Sequence, residues 1–197
     1  MPYVIGLTGS IGMGKTTTAG MFAEQGIPVW DADVAVARLY SNGGKAVQAI
    51  SDLYPGAIVN GAVEKERLRE WIAQDKSALA KIESAVHPLV AADRQNFLEH
   101  TDADIVVLDI PLLFETGAHQ TVDLVAVVST TLDEQRSRVL ARPNMTQKQF
   151  ELLLSKQIPD AIKRSKADYI ISTDTLVGAR IAVQNLIVDI REKLANA

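Results

Sequence analysis

The chain has no cysteine. That excludes disulfides and thiolate metal sites and suits a reducing cytosol. It has no basic excess either. Its 20 Lys and Arg against 24 Asp and Glu leave a formal net charge of −4, which argues against a nucleic-acid partner. No apolar run is long enough to cross a bilayer. The first residues, MPYVIGLTG, lack a basic stretch followed by an apolar core, so no signal peptide is expected. With three dispersed histidines and no cysteine, a zinc site is not expected. His100 and His119 read as surface residues. Repeats and low-complexity segments are also missing. The expectation is a soluble cytoplasmic protein with no membrane partner, a monomer or weak homo-oligomer. Its 197 residues fit one domain with an insertion.

What is present begins almost at once. Residues 3–8, YVIGLT, form a short apolar run that reads as a buried strand. Residues 9–16, GSIGMGKT, match G-x-x-x-x-G-K-[ST] in full, and a helical pattern over 15–25 follows. Glycines let the backbone N–H groups converge on phosphate oxygens, and the helix N-terminus adds a positive dipole end. Lys15 supplies a mobile charge for the β- and γ-phosphates, and the Thr16 hydroxyl is a Mg²⁺ ligand. The ATP-binding set is therefore Gly9, Gly12, Met13, Gly14, Lys15, Thr16 and Thr17. No N-K-x-D guanine-reading motif and no L-S-G-G-Q stretch occurs. Both absences turn the reading from GTPases and transporter-type ATPases toward a small kinase.

Further strands are expected at 27–31, 104–110, 123–128 and 168–172. Helices are expected at 132–141, 147–157 and 176–194, the first two introduced by capping-box spacings at Thr131/Glu134 and Thr146/Gln149. Buried-type strands alternating with helices argue for a parallel sheet covered on both faces. Between 34 and 100 the pattern is helical (34–52, 64–73, 77–99), without a clear strand, and Pro88 should end or kink the last helix near His87. This stretch is either an extra helical layer or a substrate-binding insertion. The second reading is preferred because the stretch begins at the carboxyl end of a strand, where open α/β sheets bind ligands.

Carboxylates and arginines complete the candidate site. Asp31 and Asp33 follow the second strand. One is expected to cap the next helix. The other, Asp33 by preference, would take the proton of an acceptor hydroxyl or orient it. Asp109 ends IVVLD and reads as a Mg²⁺-holding acid, directly or through water. Arg136, Arg138 and Arg142 lie on or just after the helix at 132–141. Arg142, at the break before the next helix, is best placed for a mobile arm that closes over ATP, and Arg138 comes next. Alone, His87 reads as a packed or capping side chain.

Together these stretches resemble the dephospho-CoA kinase family over about residues 3–190. The pieces are GLTGSIGMGKT (6–16), DADVAVAR (31–38), HPLV (87–90), DIPLLFE (109–115), RVLARPNMT (138–146), Gln157 and ADYIIST (167–173). The resemblance implies a P-loop kinase core with a five-stranded parallel sheet flanked by helices, a helical CoA-binding insertion at 34–100 and a lid at 142–158, all within a single domain, 3–197. It implies transfer of the γ-phosphate of ATP to the 3′-hydroxyl of dephospho-CoA with Mg²⁺. Asp33 would be the catalytic carboxylate, acting with Lys15 and Arg142. His87, Pro111, Leu112 and Arg138 would contact the acceptor. Ser10, Met13 and Thr16 stand where many members carry Gly, Ser and Ser, and Pro143 where many carry Asp. Another small-metabolite kinase and a nucleotide-dependent switch are the competing readings.

Overall fold

The computed structural model describes residues 1–196. The chain divides into two compact units, Met1–Trp30 with Asp102–Ala197, and Asp31–Thr101.

The first unit is built on strands β1 (Tyr3–Thr8), β5 (Ile105–Asp109), β6 (Leu124–Ser129) and β7 (Tyr169–Ser172). With β2 (Val29–Asp31) they form a five-stranded sheet in the order β2-β5-β1-β6-β7. β1 runs parallel to both β5 and β6, and β6 parallel to β7. Strands buried on both sides explain the unbroken apolar runs such as IVVLD, all five residues of which are buried. The chain fills one side of β1 with β2 and β5 before crossing to β6 and β7. The carboxyl end of β1 is thus the switch point, where sheets of this kind bind ligands. Helices α1 (Lys15–Glu24) and α9 (Leu176–Ala195) pack against each other and bury Met21, Phe22, Val183, Leu186 and Ile187 with Ile5, Leu7 and Ile171 in one core. Leu194, expected on the same face of α9, is exposed in the last turn.

The capping predictions separate at α6 (Leu132–Leu140) and α7 (Gln147–Ser155). Thr146 and Gln149 form a complete capping box. Thr131 accepts the Glu134 N–H, but the Glu134 carboxylate binds Arg138 instead of returning to the cap. A short helix not foreseen, α8 (Asp160–Ser165), precedes β7.

The second unit has its own apolar core. Leu39, Ile50, Leu68, Trp71, Ile82 and Val86 form it, and Tyr54 stacks on Trp71 at 4.9 Å between ring centroids. Its helices are α2 (Ala32–Tyr40), α3 (Ala46–Leu53), α4 (Lys65–Gln74) and α5 (Ala78–Glu99). Two expectations are corrected here. The stretch does contain strands, a short antiparallel hairpin of β3 (Ile58–Val59) and β4 (Ala62–Val63). Asn60 and Gly61 turn it with φ of 51° and 77°, the left-handed pair that an Asn-Gly turn adopts. The second concerns Pro88, expected to end or kink the helix near His87: α5 does not end there but runs on to Glu99. Proline deprives the Ser84 carbonyl of its helical donor, but Ser84 is exposed, so solvent can supply one. Ile82, Val86, Leu89 and Val90 pack on the unit's core on both sides of the proline.

Among the described residues no helix is long and apolar enough to cross a membrane.

Candidate active site

The six residues between β1 and α1 form a tight loop. Gly12 and Gly14 have φ of 80° and 91°, a region closed to most side chains. Gly9 abuts β6, where an added Cβ would stand 2.9 Å from the Val128 carbonyl oxygen. Gly14 is the N-cap of α1 and offers no side chain to cap it. The first N–H groups of the helix therefore point outward without an internal partner, which is the arrangement that receives phosphate. Met13 plays another part. Its N–H binds the Ser10 carbonyl at 3.1 Å. Its side chain is buried, with the sulfur accepting the Thr130 N–H at 3.3 Å. It shapes the loop from behind.

The register Leu7↔Asp109 sets the end of β5 beside the end of β1. Lys15 Nζ lies 2.5 Å from Asp109 Oδ1, and Asp109 is 1% exposed. The structure thus joins two residues 94 positions apart that the sequence had singled out separately. Thr16 and Thr17 are exposed in the first turn of α1. The adjacent stretch is tied in by Thr8 Oγ1, which donates to the Pro111 carbonyl at 3.1 Å. Leu112 beside it is exposed.

Arg138 turns toward the loop from α6. Its Nη2 donates to the Thr173 carbonyl at 2.7 Å and its Nη1 to Thr173 Oγ1 at 3.1 Å, while Nε binds Glu134. Thr173 Oγ1 in turn donates to the Met13 carbonyl at 2.7 Å. Arg138, Gly14, Thr17, Thr18, Thr173 and Leu176 line one cavity of about 170 Å³. Arg142 is exposed in the turn between α6 and α7, which includes Asn144 at a φ of 60°.

In the second unit Asp31 caps α2, accepting the N–H groups of Asp33 and Val34 at 2.8 and 3.0 Å. Asp33 is exposed in the first turn of that helix, and His87 is exposed on α5.

Sequence reasoning assigned no role to Gln135, Thr173 or Lys163. All three are buried polar side chains of the first unit. A lone Gln, Thr or Lys in a helix or at a strand end carries no spacing signal. Burial was the only sign, and only the fold reveals it.

The sequence profile described as dephospho-CoA kinase matches residues 3–178. The chain belongs to the dephospho-CoA kinase family. The dephospho-CoA kinase of Cereibacter sphaeroides is 53% identical over 191 residues, covering 97% of both chains. The solved dephospho-CoA kinase of Campylobacter jejuni superposes with a TM-score of 0.71 at 22% identity, covering 98% of this chain and 99% of that one, a likeness of fold. A Thermus thermophilus crystal structure reaches a TM-score of 0.85 at 29% identity, over 95% of this chain and 97% of that one. The activity is dephospho-CoA kinase activity, the final step of coenzyme A biosynthesis, and the enzyme is a P-loop kinase that uses ATP.

Proposed function

We propose that this kinase transfers the γ-phosphate of ATP to the 3′-hydroxyl of the ribose in dephospho-CoA, and that the phosphates of ATP lie on the loop of residues 9–17. The carrying observation is the pairing of half-buried Lys15 with buried Asp109 beside the uncapped start of α1. Asp109 holds the ammonium at the place where the helix dipole already favours negative charge. Phosphoryl transfer asks the protein mainly for position and positive charge, and both are built into this loop. The cavity beside Arg138 and Thr173 opens from the same turn of α1. It suits the nucleoside end of ATP, with Leu176 and Met21 against the base.

Mg²⁺ fits the donor set. Among the described residues no cluster of three acidic or histidine side chains exists. A nucleotide-borne Mg²⁺ needs only one or two protein oxygens, because phosphates and water supply the rest. Thr16 Oγ1 and Asp109 are those oxygens, the second directly or through water. When bound, the ion neutralises charge building on the β- and γ-phosphates.

For the acceptor, we assign Asp33 to orient the ribose hydroxyl and accept its proton. His87, Pro111, Leu112 and Arg138 are assigned to contact dephospho-CoA. The unit Asp31–Thr101 contains the helical stretch 34–100 read as the CoA-binding part, and 142–158 is read as a lid that brings Arg142 over the phosphates. The protein works in the cytoplasm, in keeping with its lack of cysteine, as a monomer or weak homo-oligomer.

Asp33→Asn tests the acceptor reading. It should lower kcat by roughly 10²–10⁴ while ATP binding stays within twofold. Wild-type turnover in the variant would remove Asp33 from the mechanism.

A further inference from the structure

Ile11, in the phosphate loop, is held at both ends of its backbone by glutamines. Its N–H donates to Gln157 Oε1 at 3.0 Å. Its carbonyl accepts from Gln135 Nε2 at 2.7 Å. Gln135 lies on α6, before the turn that carries Arg142, and is 2% exposed. Gln157 follows α7, after that turn. The two grips therefore bracket the whole 142–155 stretch. Gln157 is itself anchored. The next residue, Ile158, donates its N–H to Glu115 Oε1 at 2.9 Å, and Lys163 Nζ, fully buried, lies 2.9 Å from the same oxygen. At the start of α8, Asp160 accepts from Ser129 Oγ at the end of β6 at 2.8 Å.

We infer that Gln135 and Gln157 are positioning residues for phosphoryl transfer, holding the Ile11 peptide so that the loop keeps the curl that receives ATP. The pair of Glu115, half-buried, with the fully buried Lys163 is the foundation of the second grip. A loop backbone bridged to α6 and to the segment after α7 has fewer conformations to lose when phosphates arrive, so binding costs less ordering. Neither glutamine touches the reacting atoms. Each acts through Ile11. The inference rests on residues 9–17 being the ATP loop.

The test is steady-state kinetics of Gln157→Leu, Gln135→Leu and the double variant, with both substrates varied. Loss of one part-buried hydrogen bond should raise KM for ATP about fivefold, leave KM for dephospho-CoA within twofold, and speed hydrogen exchange at the Ile11 amide in Gln157→Leu. Because both grips act on one residue, the double variant should depart from the product of the single effects. A folded Gln157→Leu with unchanged KM for ATP, or with both KM values raised alike, overturns the inference. Should leucine prevent folding, Gln157→Ala carries the same expectation. Lys15→Met tests the loop itself. If it abolishes turnover while the glutamine variants are silent, the loop keeps its role and only the grips are refuted.

Discussion

Gly12→Ala gives a direct measure of how tightly the phosphate loop is fitted. Gly12 has a φ of 80°, and putting an L-residue there costs about 1–2 kcal/mol. The added Cβ would stand 2.4 Å from Val139 Cγ2 and 3.1 Å from the Gln135 carbonyl oxygen. Val139 is fully buried, so its methyl has nowhere to retreat without moving α6, and overpacking of this kind costs about 1–3 kcal/mol. The sum is about 2–5 kcal/mol. For a protein of this size each kcal/mol lowers the thermal midpoint by about 2–4 °C, so a drop on the order of 5–15 °C is expected by calorimetry or circular dichroism. Moving α6 also disturbs the contacts Gln135–Ile11 and Arg138–Thr173, so KM for ATP should rise together with the loss of stability. Val139→Ala supplies the internal control. Alone it leaves a small cavity costing about 1–3 kcal/mol. Combined with Gly12→Ala it removes the methyl that clashes, so the double variant should be more stable than the sum of the two losses by at least about 1 kcal/mol. A Gly12→Ala protein within about 1 °C of wild type, with unchanged KM for ATP, would refute this packing argument.

Lys15→Met should lower kcat by roughly 10²–10³, the usual effect of removing one preorganised charge stabiliser, with the fold retained by circular dichroism. Glu115→Gln should destabilise the protein at pH 7 by on the order of 3 kcal/mol, because it leaves the buried Lys163 ammonium without its counter-charge. Burial pushes the Glu115 carboxyl up, but the hydrogen bonds from Lys163 and the Ile158 N–H outweigh it and hold the group below the usual glutamate range. A folded-state value that is lowered contributes stability above the unfolded value, and that contribution is lost as pH falls through the folded one. Denaturant titrations from pH 7 downward should therefore show the wild-type advantage over Glu115→Gln shrinking as pH falls from the usual glutamate value through the lowered folded one. A constant gap across that range would contradict the pairing.

The sheet was legible in the sequence because buried parallel strands are written as short unbroken apolar runs, and the loop at 9–16 because its glycines and lysine are fixed by phosphate geometry. Asp109 was legible as the last residue of such a run. The Asn60-Gly61 turn was an available signal that passed unread, since each strand beside it is only two residues long. Of the two outcomes expected at Pro88, an end is the one α5 does not show, because the orphaned carbonyl faces water and the apolar face continues across the proline. The grip on Ile11 was out of reach for a different reason. It depends on side chains 124 and 146 positions away, brought close only when α6 and the segment after α7 come to the loop that follows β1.

The most direct measurement is ADP release from Mg-ATP with and without dephospho-CoA, with the product examined by mass spectrometry and phosphorus NMR. The account predicts acceptor-dependent ADP and a product heavier by one phosphate, carried on the ribose 3′-oxygen. Equal ADP release with and without dephospho-CoA, or a phosphate at another position, would contradict it.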